Sequence, residues 1–257
     1  MDNARLAEGL HEHTAGFADA AAGGDPDARV PTCPDWPLRV LVGHIGQAHR
    51  WAADIVRSGP SPVPNPFDAD PGSPDKWADW LREGATDLVD AVQAAGETPV
   101  WTFFGRQPAR FWLRRMLHDT TIHHADAALA TSRAFEVAPD HAADAVDEWL
   151  ELLSDPVTAQ LKPDFAELRG TGQTLLLRPD GKLGDEPGDE PGREPGWLIT
   201  RTPDGVRWTR ATGTADVTLD GPVRDLLLVL TRRLPADRVT ITGDRTLAEH
   251  WLAHTAA

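Results

Sequence analysis

The chain has a single cysteine, Cys33, among 257 residues, no tyrosine, and only three lysines (Lys76, Lys162 and Lys182). One cysteine excludes an intrachain disulfide, and a scaffold without disulfides fits a reducing, cytoplasmic setting. The opening MDNARLAEGLHEHTAG lacks the apolar core of a secretory signal, and no apolar run approaches the length needed to cross a bilayer. Basic residues are outnumbered: 25 Lys and Arg against 40 Asp and Glu leave a formal net charge of −15. Phosphate contact needs a basic surface, so this balance argues against nucleic acid and against an anionic membrane as partners. A local basic spot still suits an anionic small molecule. What is present is a chain 40% hydrophobic, enough for a real core and for one large domain or two modest ones.

The first half reads as helical. A loosely amphipathic pattern runs from about residue 3 to 22, and VPTCPDW follows as a turn. Leu38, Leu41, Val42, Ile45, Ala52, Ile55 and Val56 mark a second helix to about residue 57. The proline-rich SGPSPVPNPFDADPGSPD is a loop. Trp77, Trp80, Leu81, Ala85, Leu88, Val89 and Val92 mark a third helix stopped near Gly96, and a fourth runs from Pro108 to about 130. A fifth spans about 140 to 153. Four helices joined by loops suggest a bundle. The second half changes period. TLLLRPDG, GWLITRTPDGVRWTRA, ADVTLDG and VTITGD read as strands, the second as a hairpin around Pro203-Asp204-Gly205. PVRDLLLVLTRRL and RTLAEHWLAHT read as helices. The predicted organisation is therefore a helical bundle over 1–153 and a small α+β domain over 154–257. The tandem GDEPGDEPGREPG at 184–196 buries nothing by composition and is expected to be a flexible hairpin insertion.

Chemistry concentrates in a split trio. Asp119 and His123 are four residues apart, so a helix projects both from one face. His44, from another helix, closes a three-ligand cage with room for water or substrate, which suits a catalytic metal better than a structural one. Zn²⁺ fits first; Fe²⁺, Mn²⁺, Co²⁺ and Ni²⁺ are also compatible. The bland alternative pairs Asp119 with Arg115 one turn earlier. Periodicity does not choose between His44 and His49, and His118 and His124 leave the Asp119–His123 face. Trp36, Trp51, Trp101 and Trp112 either line a pocket or fill the core. Cys33 reads as a packed turn cysteine, with no His–Asp constellation indicated around it.

Two stretches, VPTCPDWPLRVLVGHIGQAHRWA and VWTFFGRQPARFWLRRMLHDTTIHHADA, resemble the two signatures of the mycothiol-dependent maleylpyruvate isomerase family, within the DinB/YfiT-like superfamily. The run from GTGQTLLLRPDG through ADVTLDGPVRDLLLVLTRRLP to TGDRTLAEHWL is similar to that family's small C-terminal domain. The resemblance implies a DinB-like four-helix bundle with an α+β appendage. It makes His44, Asp119 and His123 the metal ligands, Asp119 standing where glutamate is usual and Ala125 departing from a tryptophan. It implies a divalent metal and mycothiol, or a related thiol, as cofactors. A metal-held thiolate adds to a conjugated cis double bond, the single bond rotates, and elimination gives the trans product. S-transfer to an electrophilic carbon uses the same activated sulfur. For an anionic substrate, Arg115 is one candidate contact, and Arg233, where the family often has arginine, is expected to reach across an interdomain cleft. The rivals to an isomerase are an S-transferase, a metal-dependent hydrolase, and a non-catalytic binding protein that has lost the metal.

Overall fold

A computed structural model describes residues 1–180 and 195–255. Contacts divide the chain into two compact units, Met1–Glu136 and Val137–Ala257. The tandem repeat lies outside the described residues, apart from Pro195 and Gly196.

The first unit is a four-helix bundle: α1 (Asn3–Ala21), α2 (Leu38–Ser58), α3 (Trp77–Ala95) and α4 (Arg110–Thr131). Helix α1 packs chiefly on α4 and α2 on α3, and α1–α3 and α2–α4 contacts close the square. Asp2 caps α1 by accepting from the Arg5 amide at 2.8 Å, which satisfies one of the orphan donors of the first turn. Leu6, Leu10, Ala52, Ile55, Leu88, Trp112 and Leu117 meet in the core. Each large aliphatic chain removed from water there contributes roughly 1.5–3 kcal/mol. Helix α4 is contacted by both α1 and α2, so its buried residues spread round much of its circumference.

Two short hairpins lead into the helices that matter most. Strands β1 (Arg29–Val30) and β2 (Cys33–Pro37) pair antiparallel, and β2 runs directly into α2. The segment VPTCPDW, expected to be a plain turn, turns at Pro31 and Thr32 and continues as strand β2. Strands β3 (Pro99–Thr102) and β4 (Gly105–Pro108) pair antiparallel ahead of α4. Pro108, expected to open the fourth helix, instead closes β4 opposite Pro99, and the helix starts at Arg110.

In the second unit, α5 (Pro139–Ser154) and α6 (Pro156–Leu161) precede a five-stranded mixed sheet. Its strands are β5 (Thr174–Pro179), β6 (Gly196–Thr202), β7 (Gly205–Ala211), β8 (Val217–Gly221) and, after α7 (Val223–Leu230), β9 (Thr240–Gly243). Helix α8 (Arg245–His254) follows. The order is β7-β6-β5-β8-β9, with β5 and β8 parallel and the other pairs antiparallel. The hairpin predicted around Pro203-Asp204-Gly205 forms, Thr202 facing Gly205. The boundary expected near residue 153 falls instead between Glu136 and Val137. Helix α5 needs cover for Ala142, Val146 and Leu150 and finds it on α7 and β7. Asp147 of α5 accepts from the Trp197 indole of β6 at 2.7 Å and from Arg210 of β7 at 2.8 Å. Among the described residues, no helix is long and apolar enough to cross a membrane.

Candidate metal centre

Helix α4 carries Arg115, Asp119, His123 and Asp126 at spacings of four, four and three residues, one stripe down a single face. Helix α2 brings His44 to that stripe. One donor atom from each of His44, Asp119 and His123 lies within 4.8 Å of the other two. His44 Nε2 and Asp119 Oδ2 are 3.9 Å apart, so the shorter acid still reaches the imidazole of the neighbouring helix. The His44 and His123 rings meet nearly at right angles, with centroids 5.3 Å apart.

The protonation states suit cation binding. Burial, helped by His123 and opposed by Asp119, pushes the His44 imidazole down to about 4, so it is neutral at pH 7. Burial acts to raise the Asp119 carboxyl, but Arg115, His123 and His44 outweigh it and hold the group at about 2. Arg115 Nη2 donates to Asp119 Oδ1 at 3.0 Å, while Oδ2 is the oxygen nearer His44. The ion pair weighed against metal binding therefore exists, and it occupies the other oxygen. His123 Nδ1 lies 2.8 Å from Asp126 Oδ2. A carboxylate only accepts, so the proton sits on Nδ1 and the lone pair is left on Nε2. Two imidazoles and one carboxylate are a donor set that fits a divalent ion such as Zn²⁺.

Asp126 is fully buried and also accepts from Thr32 Oγ1 at 2.6 Å. Cys33 Sγ is 4.0 Å from Asp126 Oδ2 and forms a close cluster with His123 and Asp126. The expectation that no His–Asp pair stands near Cys33 is thus corrected: the hairpin before α2 folds it against α4. Trp36, two residues before α2, lies 4.9 Å from the His44 ring and stacks on His123 at 6.0 Å. Phe67, from the proline-rich loop, meets Trp36 edge-on. Trp51, Trp101 and Trp112 instead cluster in the bundle core, where the Trp112 indole donates to the Trp101 carbonyl at 2.8 Å.

The competing histidines have other places. His49 is fully buried with Nε2 2.7 Å from Thr120 Oγ1, and burial pushes it down to about 3. His124 pairs with His13, Nδ1 to Nδ1 at 3.2 Å, and packs on Phe135. His118 is buried in α4. Arg233 belongs to the second unit, is 8% exposed, and donates from Nη1 to the Thr231 carbonyl at 2.8 Å.

Residues 7–128 match the family described as the mycothiol maleylpyruvate isomerase N-terminal domain, a span that contains all three members of the trio. Two solved structures of the mycothiol-dependent maleylpyruvate isomerase share the fold at 14% identity. One, a histidine-to-alanine variant, gives a TM-score of 0.60 with 94% of this chain and 93% of that chain covered. The other gives 0.59 over the same shares. No curated protein matches the chain.

Proposed function

Because residues 7–128 of this chain match the mycothiol maleylpyruvate isomerase N-terminal domain family, we propose that the protein is a metal-dependent enzyme using mycothiol or a related low-molecular-weight thiol. Its substrate class is a small, unsaturated or electrophilic, anionic molecule, and isomerisation is the leading reaction, with S-transfer as its close alternative. The observation that supports this reading is the convergence of His44, Asp119 and His123, with His44 held neutral and Asp119 held ionised. Those three residues would hold the metal. When bound, the cation stabilises thiolate over thiol, whose ordinary pKa of about 8.5 leaves it largely protonated at neutral pH.

The chain's own groups do the rest. Asp126 keeps the His123 proton on Nδ1, and Arg115 keeps Asp119 ionised and aimed. Trp36 covers one side of the two imidazoles and restricts water there. Arg115 also brings positive charge to the centre, where an anionic substrate would gain from it. Arg233 is proposed as a further contact to an anionic substrate on the resemblance alone, and Arg233→Met is expected to raise KM more than it lowers kcat.

The test is spectroscopic and analytical. A cobalt-substituted protein should change its visible spectrum on addition of thiol, and His123→Ala should abolish that response and remove one equivalent of metal. Unchanged stoichiometry in His123→Ala would overturn the assignment. The Arg115–Asp119 ion pair favours one rival, a binding protein that keeps the fold without the metal, since the pair neutralises the carboxylate unaided. That rival predicts no metal retained by the residues of this centre at all.

A further inference from the structure

A second convergence of ligating side chains lies wholly within the second unit. His250 and His254 are four residues apart on α8, so one helical turn brings them to one face. Their ring centroids are 4.4 Å apart with planes inclined by 34°. Glu167 comes from the helical turn Pro163–Leu168, which packs on α8. One donor atom from each of the three lies within 4.8 Å of the other two. We propose that Glu167, His250 and His254 form a second divalent-cation site, of the Zn²⁺ class, that clamps the turn before the sheet to the last helix.

The tautomers favour it. His254 Nδ1 donates to the His250 carbonyl at 2.8 Å, which leaves the lone pair on Nε2. His250 Nδ1 is buried without a hydrogen-bond partner, an orphaned ring nitrogen of the kind that a cation satisfies. Burial first, then Arg201 and His254, hold the His250 imidazole toward its neutral form, the form that binds metal.

The third ligand is held in place beforehand. Arg201 of β6 donates to the carbonyls of Leu168, Glu167 and Arg169 at 3.1, 2.8 and 2.7 Å. These bonds fix the turn that carries Glu167 beside α8. The Arg201 charge opposes a cation, but its Nε and Nη2 are committed to backbone oxygens. Glu167 itself is exposed and makes no ion pair with a described residue. Two imidazoles and one carboxylate leave further positions to water.

The experiment is equilibrium dialysis of the full-length protein against zinc chloride. His44→Ala/His123→Ala disables the first centre and should still bind one equivalent. Adding His250→Ala/His254→Ala should remove it, and Glu167→Gln, at an exposed position, should weaken it at least about tenfold, the lower limit for losing even an outer-shell partner. In the otherwise unaltered protein, the α8 double substitution should lower total zinc by one equivalent, so the result does not depend on the first-centre variant folding. Zinc should also raise the melting temperature of the first-centre variant and leave that of the variant carrying both pairs of substitutions unmoved. Zinc content indifferent to both α8 histidines would overturn the proposal. Loss of metal from the first centre alone would leave this site intact and count only against the enzymatic reading.

Discussion

At the scale of single residues, the proposed metal centre depends on a side chain outside the His44–Asp119–His123 trio. Asp126 receives the His123 Nδ1 proton and the Thr32 hydroxyl while fully buried. Such an outer partner fixes ring orientation and raises ligand basicity, and its loss typically costs about 10–100-fold in metal affinity. Asp126→Asn keeps the shape and removes the charge, so zinc affinity at the first centre should fall within that range while the far-ultraviolet circular dichroism stays unchanged. An affinity equal to the parent's would show that Asp126 only anchors the hairpin. The signal for this role was present in the sequence, since His123 and Asp126 stand three apart on one helix. It carried no weight there because Thr32 and Cys33, which complete the cluster, lie more than ninety residues away. His44 and His49 were inseparable by period because both sit on a helix contacted on two sides. Only the resemblance preferred His44, and Thr120 accounts for His49.

At the scale of elements, the helices of the bundle were legible and their lead-ins were not. The apolar stripes of α2 and α3 announce themselves because each helix buries one broad face. The β3–β4 hairpin was hidden because aromatic residues at Trp101, Phe103 and Phe104 serve helix, strand and loop alike, and its register is set by Thr102 and Gly105 across the turn. Close approach of α2 and α3 depends on Gly46: a Cβ there would run into the Trp80 indole, which Arg50 covers at 3.9 Å. Gly46→Ala should therefore destabilise the first unit by about 1–3 kcal/mol through overpacking, read as a lower urea midpoint. A neutral or stabilising result would mean that Trp80 swings clear. Helix α5 was assigned to the wrong neighbour because its stripe says that it is buried without saying against what. Asp147 supplies the missing information, since Trp197 is fully buried and donates to it. Asp147→Ala leaves that indole without its acceptor and should cost the second unit about 1–3 kcal/mol, measurable by the same denaturation. Asp147→Asn should recover part of the loss by offering an amide oxygen.

At the scale of the whole molecule, buried neutral histidines make stability a function of pH. His49 is held at about 3 and His124 at about 4, in both cases chiefly by burial, against an ordinary 6.5. The unfolded chain binds these protons first as pH falls below 6.5, so it gains free energy that the folded chain does not. Stability from these groups is complete above 6.5 and is lost progressively as pH falls toward 4 for His124 and toward 3 for His49. Each contributes a slope of up to about 1.4 kcal/mol per pH unit within its window. Asp119 adds a later stage with the same sign, complete above 3.8 and lost as pH falls toward 2. For the metal-free protein, urea unfolding at pH 7.5, 6 and 5 should therefore show a plateau followed by a steepening loss. His49→Gln can still bond Thr120 but cannot titrate, so it should flatten the loss by up to about 1.4 kcal/mol per pH unit, one proton's share. A variant whose acid limb matches the parent's would mean that His49 is protonated in the folded state. The bundle would then carry a buried charge beside Thr120, which its lone hydroxyl partner could not offset.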